Sequence, residues 1–274
     1  MKTPAVASLS ALMILAASSA LLAEQRAGRR QNAWTQEQIK WITNHQEEWN
    51  KRGHTEFPLY HSTEQASQDI HRFNEILERH PDSWVTYFNR GLAYDYLGQT
   101  DQAIADYTNA LDINPRDSFS LINRGIVYYE KSQYTLALAD YNQAIAVDPG
   151  IANAHNCRGH IYLIQGDLKG ALADFKQALT LEPNNPFTHD NLGMIYLAQG
   201  DHQQALKEFD KAIALDQKDP EPDRGSFYNN RAAAHLNLRH YEQSWQDVHH
   251  AEELGEQPAP ELLRLLRQYS GREQ

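Results

Sequence analysis

Apolar and polar positions repeat every 34 residues through most of the chain. Within each period, two segments have the apolar spacing of amphipathic helices, and a short turn separates them. Five further columns of small, aromatic or proline residues keep the same period, and they begin at Tyr94, Ala103, Tyr107, Ala110 and Pro115. Small, aromatic, small and proline residues in that order predict a solenoid of helix pairs. The glycines that mark the period are Gly91, Gly125, Gly159 and Gly193.

The repeated columns predict how the helices of a pair meet. The columns that begin with Gly91 and Ala103 are expected at the crossing of the two helices, where small side chains let the backbones approach. The aromatic column of Tyr107 is expected to fill the gaps between successive repeats. Pro115 is expected to stop the second helix, because proline lacks the amide donor that a helix interior needs.

The pattern divides the chain into segments. Residues 62–83 resemble the second helix of a degenerate repeat, in which Ser62 and Gln65 form a capping box. Residues 24–61 are a polar spacer and a helix with Trp34, Trp41 and Trp49. Residues 258–274 form a capping helix and tail, as expected of a terminal unit. The five repeats are predicted at 84–117, 118–151, 152–185, 186–219 and 225–257.

These columns closely resemble the tetratricopeptide repeat (TPR) family over residues 84–257. The resemblance implies an all-α fold, a right-handed superhelical solenoid of antiparallel helix pairs with terminal capping helices. It also implies a concave face, lined by the first helix of each pair, that binds a peptide segment of a partner protein. The fold by itself carries no chemistry, so no enzyme activity and no cofactor are expected.

An asparagine column is the first part of the candidate site. Asparagine stands two residues before the small crossing residue in four of the five repeats, and an amide side chain offers both a donor and an acceptor to a peptide backbone. Related solenoids use such a ladder to bind an extended peptide. The alternative is that asparagine is simply frequent at this position of the helix. The column consists of Asn89, Asn123, Asn191 and Asn230.

Apolar and polar neighbours of this column complete the candidate site. They are expected to face solvent in a contiguous apolar groove, which is typical of an interaction site. The alternative is that tight curvature, or the tryptophan-containing N-terminal helix, buries them. The carboxylate clamp of the family is not expected, because only Asn123 of its residues is present. The predicted groove residues are Phe88, Phe119, Ile122, Tyr129, Asn156, His160 and Phe187.

Residues 1–23 have the layout of a secretory signal peptide: Lys2, an apolar run and small residues before Glu24. The run approaches the length of a spanning helix, and arginines follow it, so a retained membrane anchor is the alternative. The chain has no Asn-x-Ser/Thr triplet. Together these features favour export to a bacterial periplasm or cell envelope.

The net charge and the reactive residues exclude several function classes. The formal charge is −11, with no basic stripe, which argues against nucleic-acid binding. Cys157 is the only cysteine, so an internal disulfide is impossible. The histidines near the fifth repeat have no second cluster of ligands at metal spacing, so no metal site is predicted.

The sequence therefore predicts a non-catalytic adaptor or scaffold that binds a protein or peptide partner. A membrane-anchored structural scaffold is the second hypothesis, with membrane contact only if the leader is retained. A carbohydrate-binding accessory module is the third hypothesis, because tyrosine and phenylalanine recur on the concave face. The partner and the oligomeric state are not encoded in these patterns.

Overall fold

The structure is a computed structural model that describes Tyr60, residues 62–216 and residues 225–272. The predicted signal peptide, the polar spacer and the tryptophan-containing helix lie outside the described residues, as does most of the polar insertion before the fifth repeat. Within the described ranges every regular element is an α-helix and no strand occurs. The prediction of an all-α fold is confirmed.

Twelve helices are present in the described part of the chain. The first stands alone, the next ten form five pairs, and the last follows the fifth pair. In chain order they are α1 (Thr63–Arg79), α2 (Trp84–Tyr96), α3 (Thr100–Ile113), α4 (Ser118–Glu130), α5 (Tyr134–Val147), α6 (Ala152–Ile164), α7 (Leu168–Leu181), α8 (Pro186–Gln199), α9 (His202–Asp216), α10 (Gly225–Asn237), α11 (Tyr241–Glu253) and α12 (Pro260–Ser270).

The described residues form two compact units, divided inside α6 between Arg158 and Gly159. In the N-terminal unit, α1 packs against α2, and α2–α3 and α4–α5 pack as pairs. In the C-terminal unit, α8–α9 and α10–α11 pack as pairs, and α12 lies against α11.

The repeat glycines make room for an aromatic ring within each pair. A Cβ atom added at Gly91 would lie 2.8 Å from the Tyr107 ring, and one at Gly125 would lie 2.6 Å from the Tyr141 ring. Gly159 faces the ring of Phe175 in the same way. The aromatic column therefore packs inside its own pair, whereas the sequence predicted that it fills the gaps between repeats.

Gly125→Ala is expected to lower the free energy of unfolding by about 1–3 kcal/mol, the usual cost of overpacking a core. The Tyr141 side chain is 1% exposed, and its ring would have to shift, because it lies 2.6 Å from the position of the added Cβ atom. Urea unfolding measures the effect. The control is Gly125→Ala in a Tyr141→Leu background, where the added methyl group has no ring to meet. Equal losses in both backgrounds would contradict this packing.

Local capping explains where several helices begin and end. Ser62 Oγ accepts a hydrogen bond from Gln65 N at 3.1 Å, which confirms the predicted start of α1. Asp117 caps α4 by accepting from Ser120 N at 2.8 Å. The turn after α4 places Ser132 at φ 59°, where three other repeats have glycine and the fifth has Arg239 at φ 64°. These short signals fix the bounds of the helices that carry the candidate site.

An arginine–aspartate pair joins the two helices of several repeats. Arg90 donates from Nε and Nη2 to both carboxylate oxygens of Asp106, 16 residues later, with both distances 2.7 Å. Arg124 binds Asp140 in the same fork geometry, at 2.9 and 2.7 Å. Planar two-point contacts of this kind are the strongest side-chain ion pairs. Arg231 and Asp247 repeat the arrangement in the fifth pair.

Each of these arginines also binds the preceding second helix. Arg90 Nη1 donates to Asn74 at 2.6 Å, and Arg124 Nη1 donates to Thr108 at 3.1 Å. One guanidinium thus connects three helices. The fourth repeat has Leu192 at this position, and there His189 Nδ1 lies 2.7 Å from Glu208 Oε2 instead.

Candidate peptide-binding face

The first helix of each pair has a face that points away from its partner helix. An α-helix turns by about 100° per residue. The residues six and two positions before the repeat glycine, and the residue one position after it, therefore lie about 100–160° around the helix from that glycine. We call this set the inner face. In the N-terminal unit it comprises Val85, Asn89, Leu92, Phe119, Asn123, Ile126, Asn153 and Cys157. In the C-terminal unit it comprises His160, Phe187, Asn191, Met194, Ser226, Asn230 and Ala233.

The four asparagines of the predicted ladder all lie on this face, but their amide groups are used differently. Asn123 Nδ2 donates to the Phe119 carbonyl of its own helix at 2.8 Å. Asn230 Nδ2 donates to both carboxylate oxygens of Asp190, at 3.1 and 2.9 Å. Asn191 Nδ2 lies 3.0 Å from His160 Nε2. Three of the four ladder amides are therefore engaged within the protein.

Asn89 has an amide oxygen that no described residue contacts. Its side chain is 6% exposed, and Oδ1 is buried without a hydrogen-bond partner among the described residues. Nδ2 of Asn153, which is also on the inner face, is likewise buried without a hydrogen-bond partner among the described residues. A buried polar atom without a partner costs about 1–3 kcal/mol, so such atoms call for a ligand. The unpartnered groups are these two atoms and not the whole amides, because Asn153 Oδ1 accepts a hydrogen bond from Cys157 Sγ at 3.5 Å.

Two predicted groove residues belong to the contact between paired helices instead. Phe88 stands three residues before Gly91, only about 60° from the partner helix, and its ring lies 6.0 Å from the Tyr107 ring. Tyr129 stands four residues after Gly125, and its ring lies 5.7 Å from the Tyr134 ring. Burial raises the pKa of the Tyr129 phenol. The assignment of Phe88 and Tyr129 to a solvent-facing groove was wrong.

The remaining groove residues are less exposed than the sequence indicated. Phe119 is 3% exposed and Ile122 is 1% exposed, and Ile122 belongs to a core cluster with Leu121 and Ile151. Asn156 is half-buried in α6. Phe187 is the most exposed of them, at 38%, and its ring packs edge-on against the Phe227 ring at 5.6 Å. The expectation of an open apolar groove was wrong for Phe119 and Ile122.

His160 forms the polar centre of the inner face in the C-terminal unit. Its ring stands edge-on to Phe175 at 5.3 Å, and its Nε2 is the acceptor that fits Asn191 Nδ2. Burial lowers the pKa of His160 to about 4. The imidazole is therefore neutral near pH 7 and accepts a hydrogen bond without adding charge.

The described residues contain no group of histidine, cysteine or acidic side chains that could hold a metal ion. His235 Nδ1 and His240 Nδ1 lie 3.4 Å apart, which is a contact between two histidines and no more. Over the same residues, none of the helices has the length and apolar character needed to cross a bilayer.

Sequence models of protein families identify the repeats. Tetratricopeptide repeat models match residues 84–117 and 150–218, and a TPR repeat model matches residues 125–163. The chain contains tetratricopeptide repeats. TPR units are typically non-catalytic and bind proteins or peptides, which agrees with an interaction surface built on the first helices. No significant match to the chain was found among curated proteins.

Solved structures agree with a TPR fold. The chain is similar to the structure of PilF from Pseudomonas aeruginosa, with 26% identity and a TM-score of 0.60 over 69% of this chain and 86% of that one. YrrB, described as a TPR protein with an unusual peptide-binding site, matches with 19% identity and a TM-score of 0.56 over 73% and 98% of the two chains.

A third structure, the APC/C hetero-tetramer Cut9–Hcn1, matches with 17% identity and a TM-score of 0.61. The match covers 69% of this chain and 36% of the other chain, so this protein spans about a third of that length. At these identities the YrrB and Cut9–Hcn1 matches show the fold alone.

The arginine–aspartate pairs are the feature that sequence reasoning missed. Arg90, Arg124 and Arg231 stand directly before the small crossing residue, and each aspartate lies 16 residues further on. Both columns repeat through the chain and were available as a signal.

Proposed function

We propose that this protein is an adaptor that binds an extended peptide segment of a partner protein on the inner face of its TPR helices. The observation that carries the proposal is a pair of buried amide atoms, Asn89 Oδ1 and Asn153 Nδ2, that have no hydrogen-bond partner among the described residues. An amide side chain can hydrogen-bond either group of a peptide backbone, which gives affinity without demanding a particular side chain.

The apolar residues beside these amides supply the second part of recognition. Val85 and Ile126 lie on the same face as Asn89 and are half-buried, so part of each side chain is accessible to a ligand. Apolar side chains of a bound peptide would gain about 25 cal/mol for each Å² they bury. Affinity then comes from the apolar contacts, and the amides fix the register of the peptide backbone.

Binding of a peptide selected from a random library tests this proposal. Asn89→Ala combined with Asn153→Ala is expected to weaken binding about tenfold, because two hydrogen bonds of about 0.5–1.5 kcal/mol each are lost. Since neither free amide atom has a partner among the described residues, the unfolding midpoint should stay the same. Asn123 and Asn191 are less suitable, because their amides have contacts within the protein.

Asn109→Ala is the matched control, since Asn109 is an exposed asparagine on the second helix α3. It should leave the affinity unchanged. If the wild type and the double variant bound the peptide with equal affinity, the two amides would not contact it, and the proposal would be wrong.

We also propose that the protein acts in the periplasm or cell envelope after export. The support is the arrangement of residues 1–23, with a charged start, an apolar run and small residues before Glu24. N-terminal sequencing of the protein from its native membrane and periplasmic fractions tests this. A new terminus near residue 24 is expected, whereas an intact leader in the membrane fraction would favour the anchored scaffold.

A further inference from the structure

We propose that the peptide segment bound on the inner face of the N-terminal unit is basic, and that Glu130 pairs with one of its lysine or arginine side chains. The inference rests on the proposed function, because it concerns the same peptide-binding surface. It adds the chemistry of the partner, which is an internal segment with positive charge and not a chain terminus held by its carboxylate.

The positive side chains of the first helices in this unit lie away from the inner face. α2, α4 and α6 contain no lysine. Their arginines stand directly before the repeat glycine, about 100° around the helix in the opposite sense to the inner face. Arg90 and Arg124 bind aspartates of their partner helices, and Arg158 Nη1 donates to Asn142 of α5 at 2.7 Å. No cation of these three helices is therefore placed to receive a carboxylate of a bound peptide.

Glu130 gives the inner face of this unit a negative charge. It stands five residues after Gly125, about 140° around α4 from that glycine, which is within the range that defines the inner face. Its side chain is half-buried, and its Oε1 atom is buried. The inner-face residues of this unit named above are all uncharged, so Glu130 decides the sign of the charge that a peptide meets there.

The surroundings of Glu130 add to this negative potential. Glu130 is the last residue of α4, where the helix dipole places partial negative charge. The next residue, Lys131, is held away by the preceding second helix, because its Nζ lies 2.9 Å from Asp101 Oδ1. Burial is the main cause of the raised pKa of the Tyr129 phenol, and the charge of Glu130 adds to it. The end of α4 therefore favours a cation on the inner face.

A basic side chain fits this position better than an acidic one. Ile126 lies one turn before Glu130 on the same face and is half-buried, so the methylene stem of lysine or arginine can cover it while the charged head reaches the carboxylate. A carboxylate of the peptide would instead meet a like charge and lose water without a compensating cation. The formal charge of the whole chain, −11, attracts a basic segment from a longer distance.

Selection from a random peptide library on the full chain tests the charge preference. Peptides retained by the wild type should be enriched in lysine and arginine and depleted in aspartate and glutamate relative to the input. Replacing the lysine of a selected peptide by glutamate should weaken binding at least about tenfold, because a pair is lost and a like charge is added. Retained peptides with no enrichment in basic residues, or peptides that need a free C-terminal carboxylate, would overturn the proposal.

Variants of Glu130 assign the preference to this residue. Glu130→Gln should weaken binding of the lysine peptide about fivefold, the upper range for an ion pair that keeps contact with water. It should leave binding of the same peptide with glutamine in place of lysine unchanged. Glu75→Gln removes the same charge from an exposed position of α1 and is the matched control. If Glu130→Gln bound the lysine peptide as tightly as the wild type, the assignment to Glu130 would be wrong.

Failure of this inference can be told apart from failure of the proposed function. If the wild type binds library peptides through Asn89 and Asn153 but accepts lysine and glutamate equally, the adaptor function stands and the charge preference is wrong. If no library peptide binds the wild type, both are wrong. Because the selection uses the wild type, its outcome does not depend on whether a Glu130 variant folds.

Discussion

Arg124→Ala is expected to lower the free energy of unfolding by about 3 kcal/mol, at the low end of the cost of breaking a buried ion pair. The side chains of Arg124 and Asp140 are 17% and 6% exposed, so Asp140 would keep its charge with little water around it. Burial opposes the charge on Arg124, but the hydrogen bonds and charge of Asp140 outweigh it and raise the pKa of the guanidinium. The loss of Thr108 as a partner adds to the cost.

Chemical denaturation of the wild type and the variant measures the effect. Arg124→Lys keeps the charge but cannot form the two-point contact, so it should fall between the two. Arg116→Ala is the matched control, because Arg116 is exposed in the connection before α4. A loss below about 0.5 kcal/mol for Arg124→Ala, the range of ordinary surface changes, would show that the pair does not hold the repeat together.

The second large effect is a pH dependence that arises from His160. Burial holds the pKa of His160 at about 4 in the folded protein, whereas histidine ordinarily has a pKa of about 6.5. The unfolded chain therefore binds a proton more readily than the folded chain. The free energy of unfolding that comes from keeping the His160 imidazole neutral is fully present above about pH 6.5 and is lost as the pH falls towards 4. The total loss is about 3 kcal/mol, from about 1.36 kcal/mol per pKa unit.

His160→Gln isolates this contribution. Glutamine offers Asn191 a neutral acceptor at every pH, so the variant should lose less stability than the wild type between pH 7 and pH 4.5. Burial also lowers the pKa of His202 and His235, so the quantity to compare is the difference between wild type and variant. His71→Gln, at an exposed position of α1, is the control. Parallel pH profiles for the wild type and His160→Gln would contradict the burial of a neutral imidazole.

The 34-residue period predicted the fold because the same kind of side-chain packing recurs from repeat to repeat. A glycine facing an aromatic ring recurs in four of the five helix pairs, as in Gly91 with Tyr107 and Gly125 with Tyr141. Such contacts lie within one 34-residue unit, so their spacing can be read from the sequence. The start of α1 followed in the same way from Ser62 and Gln65, which are three residues apart.

The candidate site was harder to predict because it depends on the face of the helix on which each residue lies. Phe88 and Asn89 are adjacent in the chain, yet Phe88 packs towards Tyr107 while Asn89 lies on the inner face. A list of apolar residues near the asparagine column does not separate these sides. The contacts of Asn191 with His160 and of Asn230 with Asp190 join different repeats, and their spacings of 31 and 40 residues do not follow the 34-residue period.

The structure of the full chain with a library-selected peptide tests the central claim most directly. The peptide is expected on the inner face of α2, α4 and α6, with its backbone within hydrogen-bond distance of Asn89 Oδ1 and Asn153 Nδ2. A peptide bound only to the second helices, or to the connections between pairs, would contradict the account.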